Sequence, residues 1–276
     1  MNTLLLYLSY PFVQYAFIVT ICVSLCASLL GVTLVLKRYS HIGDGLSHVA
    51  FGAMTVAAVT GLTNDIWITL PCTTLAAVIL LSGRTKMKGD AGMALVSVSS
   101  LGMGYLIMNV FSKRANLSGD VCASLFGATS ILTLSLEKVV LSLVLSVLLI
   151  LLFVYLHHRI FALTFDEGFV KATGFNTKLY NLLIAVLISL VIVLAMNLVG
   201  SLLISALIIF PALSAMRLYH SFKAVTICST VLSVLCSISG LVLSILLGSP
   251  VGSTIVLMDM IVFIGIWLWE KVEAKR

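Results

Sequence analysis

Apolar runs of helical length follow one another along almost the whole chain, separated by short polar breaks. A window of about 19 residues resolves nine of them, near 12–36, 41–61, 66–82, 91–111, 136–157, 180–197, 199–219, 224–247 and 251–270. Most approach the ~20 residues that a helix rising ~1.5 Å per residue needs to cross the ~30 Å hydrocarbon layer. They lack the ten-residue apolar/polar alternation of an outer-membrane barrel. The pattern therefore predicts an all-α, polytopic membrane protein with about nine transmembrane helices. One further apolar stretch, Asp120 to Ser135, is short and broken by Gly127, so it is expected to be re-entrant or interfacial. The longest polar break, about 158–179, is too short for a water-soluble domain, and residues 1–276 read as a single transmembrane unit. Met1 to Pro11 has no basic region before the first apolar run, so no cleaved signal peptide is expected.

Composition and charge sharpen this reading. With 61% hydrophobic and 9% charged residues and a mean hydropathy of +1.21, too few polar groups exist to cover a water-facing surface. Basic residues set the orientation. If the N-terminus is outside, Lys37, Arg38, Arg84, Lys86, Lys88, Arg159, Lys171, Lys178, Arg217, Lys223, Lys271, Lys275 and Arg276 all fall on the inner side. Only Lys113, Arg114 and Lys138 fall outside, a strong positive-inside bias that predicts N-out and C-in. The net charge of +6 is explained by this bias and points to no nucleic-acid partner. Six cysteines, scattered through or beside the spans without a C-x-x-C pair, suit apolar packing better than a disulfide framework or a zinc cage.

Within so apolar a chain, Asp44 and His48 in Gly43-Asp44-Gly45-Leu46-Ser47-His48 stand out. Ionisable side chains in a bilayer are costly and by default mark function. At i and i+4 the carboxylate and imidazole share one helical face, ~6 Å apart along the axis, an arrangement suited to a divalent first-row metal ion. Two ligands leave such a site incomplete. Asp259 is a candidate third ligand, because counting ~1.5 Å per residue from the span ends puts it and His48 at similar depth near the midplane. Other readings fit the same residues: Asp44 as a helix cap with Ser40 and Ser47 nearby, His48 as an interhelical donor, and Asp259 as a structural hydrogen-bond partner.

Two other stretches carry pattern. Leu163 to Gly174 reads as a short helix with an acidic start at Asp166 and Glu167, Phe169 and Val170 following, and a glycine stop. It suits either docking to a cytosolic partner or an ordinary interfacial connector. Val199 to Ala215 places Gly200, Ser201, Ser205 and Ala206 ahead of Pro211, which suits close helix approach or the lining of a polar path.

Four motifs occur in order: Gly43-Asp44-x-Leu46-Ser47-His48, Phe165-Asp166-x-x-Phe169-x-Lys171-Ala172-x-Gly174, Val199-Gly200-x-Leu202-Leu203-x-x-Ala206-Leu207-x-x-x-Pro211-Ala212, and Pro250-x-Gly252-x-x-Ile255-Val256-Leu257. Together they resemble the permease subunits of ABC importers for zinc, manganese and iron. The resemblance implies an importer permease bundle in the bacterial cytoplasmic membrane, in contact with lipid. It implies pairing with itself or a homologous permease, two cytosolic ABC ATPase subunits, and an extracytoplasmic metal-binding protein. It also makes Asp44 and His48 the metal contacts of the pathway, and makes Phe165, Asp166, Glu167, Phe169, Lys171, Ala172 and Gly174 the loop that meets the ATPase. Asp259 is not part of the resemblance and rests on depth alone.

The residues support that division of labour. No G-x-x-x-x-G-K-[ST] phosphate loop occurs, so nucleotide hydrolysis belongs on another chain and this chain is not expected to be an enzyme. No permanently bound cofactor is expected, and the divalent metal ion is cargo. The competing readings are a secondary transporter relaying protons through Asp44, His48 and Asp259, and a scaffold in which these residues only join helices.

Overall fold

The computed structural model describes residues 9–61, 66–81, 90–111 and 136–273. Ten helices occur among them: α1 Pro11–Leu36, α2 Ile42–Thr60, α3 Ile66–Leu81, α4 Asp90–Phe111, α5 Leu136–Phe165, α6 Glu167–Ala172, α7 Thr177–Val199, α8 Ser201–Leu218, α9 Phe222–Leu247 and α10 Val251–Glu273. The nine long helices match the nine apolar runs. Seven are long and apolar enough to cross a membrane, whereas α3 and the apolar stretch Leu203–Leu218 of α8 are shorter. The stretch Asp120 to Ser135 lies outside the described residues.

Local chemistry places the ends. Pro11 occupies the first turn of α1, where its missing N–H is not needed. Asp166, Asn176 and Ser221 accept hydrogen bonds from backbone N–H groups in the first turns of α6, α7 and α9. Gly61 and Gly248 close α2 and α9 in the left-handed conformation. Gly200, at φ 96° and ψ 157°, is the single residue between α7 and α8. The sequence-based span ends need one substantial correction. α5 does not stop near His157 but runs on to Phe165, and 30 helical residues reach about 45 Å, further than the hydrocarbon layer is thick. The polar break at about 158–179 is therefore part helix.

Within the bundle, α8 packs against α1, α2, α7, α9 and α10, and α1 packs against α5, α7, α8 and α9. Leu30 and Leu34 of α1 and Leu203, Ile204, Leu207 and Ile208 of α8 are among the core residues. Lipid tails are as apolar as leucine, so association between such helices depends on close fit. A Cβ on Gly31 would stand 2.4 Å from the Ile208 carbonyl oxygen, so α1 and α8 touch backbone to backbone there. Buried hydroxyls return their hydrogens to their own helices: Ser24, Ser28, Thr33 and Ser142 each bond the carbonyl three residues back. By contrast, α4, α5 and α10 present broad apolar faces outward, where lipid or another subunit can cover them.

Candidate metal-translocation site

The first turns of α2 build the site. Gly43 lies against α8, where an added Cβ would meet Ile208 Cδ1 at 3.0 Å and Ser205 Cα at 3.7 Å. A Cβ added to Gly45 would stand 3.5 Å from the Met93 carbonyl oxygen of α4. The two small residues thus let α2 seat between α8 and α4, with Asp44 between them. Ser47 spends its hydroxyl on the Asp44 carbonyl at 2.8 Å, which leaves the Asp44 carboxylate free for other partners. That carboxylate meets His48 Nε2 through Oδ1 at 3.4 Å, and its Oδ2 accepts from Ser97 Oγ of α4 at 3.4 Å. Both contacts are long for hydrogen bonds, as in a site loosely held together by its protein partners alone.

Exposure divides the pair. The Asp44 side chain is 50% exposed and that of His48 16%. His48 Nδ1 is buried without a hydrogen-bond partner, so its ring is anchored only on the Nε2 side facing Asp44. His41, three residues before Asp44, adds its charge to the same carboxylate when protonated. A partly open carboxylate and a neighbouring imidazole offer oxygen and nitrogen donors, the mixture that suits manganese, ferrous iron or zinc.

Asp259 is elsewhere. It is 2% exposed on α10, which packs on α8 and α9, and its side chain lies beside Cys236 of α9. Its Oδ2 has no partner. Among the described residues, no three His, Cys, Asp or Glu side chains converge, so Asp259 does not join Asp44 and His48 in this structure. Equal depth along two helices says nothing of the direction each side chain faces. Five of the six cysteines fall among the described residues, and all five are free thiols.

The segment Leu163 to Gly174 contains the expected short helix. The Asp166 carboxylate caps α6 by accepting from the Phe169 N–H at 2.8 Å, and Gly174, at φ 83°, follows its end. Val170 is the buried residue of α6, while Phe169 is 64% exposed and Lys171 and Ala172 are also exposed. Phe165, before the cap, sits with Phe161 and Phe222 at ring separations of 4.9 and 6.2 Å, joining the lower end of α5 to the start of α9. A helix with one buried valine and an outward phenylalanine has an exposed face for a partner.

Residues 9–270 match the family model described as ABC 3 transport family. The chain belongs to that family. It is thus a metal ABC transporter permease, a multi-pass protein of the bacterial cytoplasmic membrane. Among its relatives, the manganese import system permease protein ScaB of Streptococcus pneumoniae is 30% identical over 259 residues, covering 92% of this chain and 89% of ScaB. A probable iron transport system membrane protein of Haemophilus influenzae is 26% identical over 271 residues, covering 97% of each chain. The structure of PsaBC from Streptococcus pneumoniae in complex with Fab superposes with a TM-score of 0.82 at 28% identity, covering 94% of this chain and 92% of that one.

Two contributors to the permease site escaped sequence reasoning. Ser97 lies 53 residues from Asp44, and a serine in an apolar run carries no signal of which helix it will face. His41 was legible in principle from its i, i+3 spacing, but as an exposed residue at a helix start it resembles any polar flank.

Proposed function

We propose that this permease carries a divalent first-row metal ion into the cytoplasm, with manganese the foremost candidate, in an importer driven by separate ATPase subunits. The observation that carries the reading is the Asp44–His48 contact at 3.4 Å beside a half-exposed carboxylate. The Asp44 carboxylate is an oxygen donor of the kind manganese takes, with no thiolate in the pair to select a softer ion. The manganese importer named among its relatives supports the same choice. Iron stands next, on the Haemophilus relative.

The ion's remaining ligands come from outside this chain. A second copy of the permease facing the open side of Asp44 would bring another carboxylate and imidazole, and water would fill the rest. A site assembled from two loosely held halves suits transport, because the ion must leave as readily as it enters. Conformational change then does the work. ATP binding closes the ATPase subunits, α6 follows their surface through Phe169, and the bundle rocks so that the Asp44–His48 station opens inward. An extracytoplasmic metal-binding protein delivers the ion on the other side. With the N-out, C-in orientation that the basic residues predict, α6 faces the cytosol, as this scheme needs.

Reconstitution tests the reading against ion-coupled transport. In proteoliposomes loaded with ATP and the cognate ATPase subunits, manganese uptake is expected. Without the ATPase subunits it should fall to the level of empty vesicles. Uptake that persists without them would make the chain a secondary transporter.

A further inference from the structure

The coupling role of α6 leaves open how its motion reaches the metal pair, since among the described residues α6 packs chiefly on α5 and α7. One polar chain leads further. The Glu167 carboxylate accepts from Asn181 Nδ2 of α7 at 2.9 Å, and Asn181 Oδ1 accepts from Lys37 Nζ at 3.2 Å. The chemistry fixes the orientation of the amide. A carboxylate can only accept and an ammonium can only donate, so Asn181 must turn its NH2 to Glu167 and its oxygen to Lys37.

The surroundings give these bonds importance. A cavity of about 360 Å³ bordered by Lys37, Arg38, Leu163 and Phe165 and another of about 570 Å³ bordered by Val78, Lys171 and Lys178 both have Glu167 and Asn181 in their walls. Beside the relay, then, the packing is open. Burial pushes the Lys37 ammonium below the ordinary lysine range, with the Glu167 charge opposing that effect.

Lys37 also stands at a decisive place. It caps the C-terminus of α1, five residues before α2 begins, in a turn where the Tyr39 N–H bonds the Leu34 carbonyl at 2.9 Å and the Arg38 N–H bonds that of Val35 at 3.0 Å. α2 begins at Ile42 and carries Asp44 in its first turn. The geometry points to Glu167, Asn181 and Lys37 as a positioning relay that fastens the coupling helix to the α1–α2 turn, so that displacement of α6 shifts the base of the helix bearing Asp44 and His48. This assignment rests on α6 being the ATPase-contacting element.

A hydrogen-bond polarity swap tests it. Asn181→Asp keeps an acceptor for Lys37 but removes the donor to Glu167 and opposes two carboxylates. In proteoliposomes containing the assembled permease and ATPase subunits, manganese ions taken up per ATP hydrolysed should fall at least fivefold. Adding Glu167→Gln supplies an amide N–H from the α6 side, and the double variant should recover to within twofold of wild type. Lys37→Arg should retain coupling and Lys37→Met should lose it. Unchanged uptake per ATP in Asn181→Asp overturns the relay. So does a loss, in coupling or in ATPase assembly, that Glu167→Gln does not reverse. Phe169→Asp tests the underlying reading by itself: it should abolish co-purification of the ATPase subunits, and retention would remove α6 as the docking element.

Discussion

The carboxylate of Asp44 is the residue on which the transport account turns, and its company explains why a charged group is tolerated near the bilayer. An aspartate alone at the centre of a spanning helix costs about 3 kcal/mol on insertion scales. Here it lies in the first turn of α2, half open and facing an imidazole at 3.4 Å. Ser97 donates to the second carboxylate oxygen from α4. Ser97→Ala is therefore expected to reduce apparent affinity for manganese by about 10-fold, in the range for groups that orient a metal ligand, with the maximal rate little changed. Concentration-dependent uptake measures both. Arg38 offers an independent check at this scale. It holds φ 62° in the turn after α1, a conformation that disfavours a residue with a Cβ by about 1 kcal/mol. Arg38→Gly should raise the thermal midpoint of the purified permease.

At the scale of elements, the packing of α1 on α8 is the tightest constraint on the site. Gly31→Ala would press a Cβ against backbone at Ile208, where no side chain can swing away, and α8 also supports Gly43 at the start of α2. Overpacking of this kind costs about 1–3 kcal/mol. Gly31→Ala should lower both the thermal midpoint and transport, whereas Gly102→Ala on α4, with nothing within 4 Å, should leave both unchanged. For α6, Asp166→Ala removes the acceptor for the Phe169 N–H and should cost about 1 kcal/mol of local stability. Amide exchange over residues 167–172 would report it as faster exchange.

Elements were also what the sequence revealed best. Hydropathy located the nine long helices, and Asp166 with Gly174 marked the ends of the short one, because caps and apolar runs are local properties of the chain. The Asp44–His48 pairing was legible for the same reason, since i and i+4 positions meet within one helix. Asp259 was misdirected by that logic. Axial depth is readable from a span, but the azimuth of a side chain depends on its neighbouring helices, and those turned Asp259 toward Cys236. The partners of Asn181 were hidden likewise: 144 residues separate it from Lys37, and only folding brings them to 3.2 Å.

For the whole molecule, the outward apolar faces of α4, α5 and α10 leave room for lipid or another subunit, the setting that the proposed assembly needs. The family relation and the PsaBC likeness place it among metal permeases. The most direct test of the central claim compares wild type with the Asp44→Ala/His48→Ala variant in ATP-loaded proteoliposomes with the ATPase subunits present, following manganese uptake and ATP hydrolysis in the same vesicles. Uptake at the empty-vesicle level with hydrolysis retained is the predicted result. Wild-type uptake by the double variant would show that the ion travels by another route.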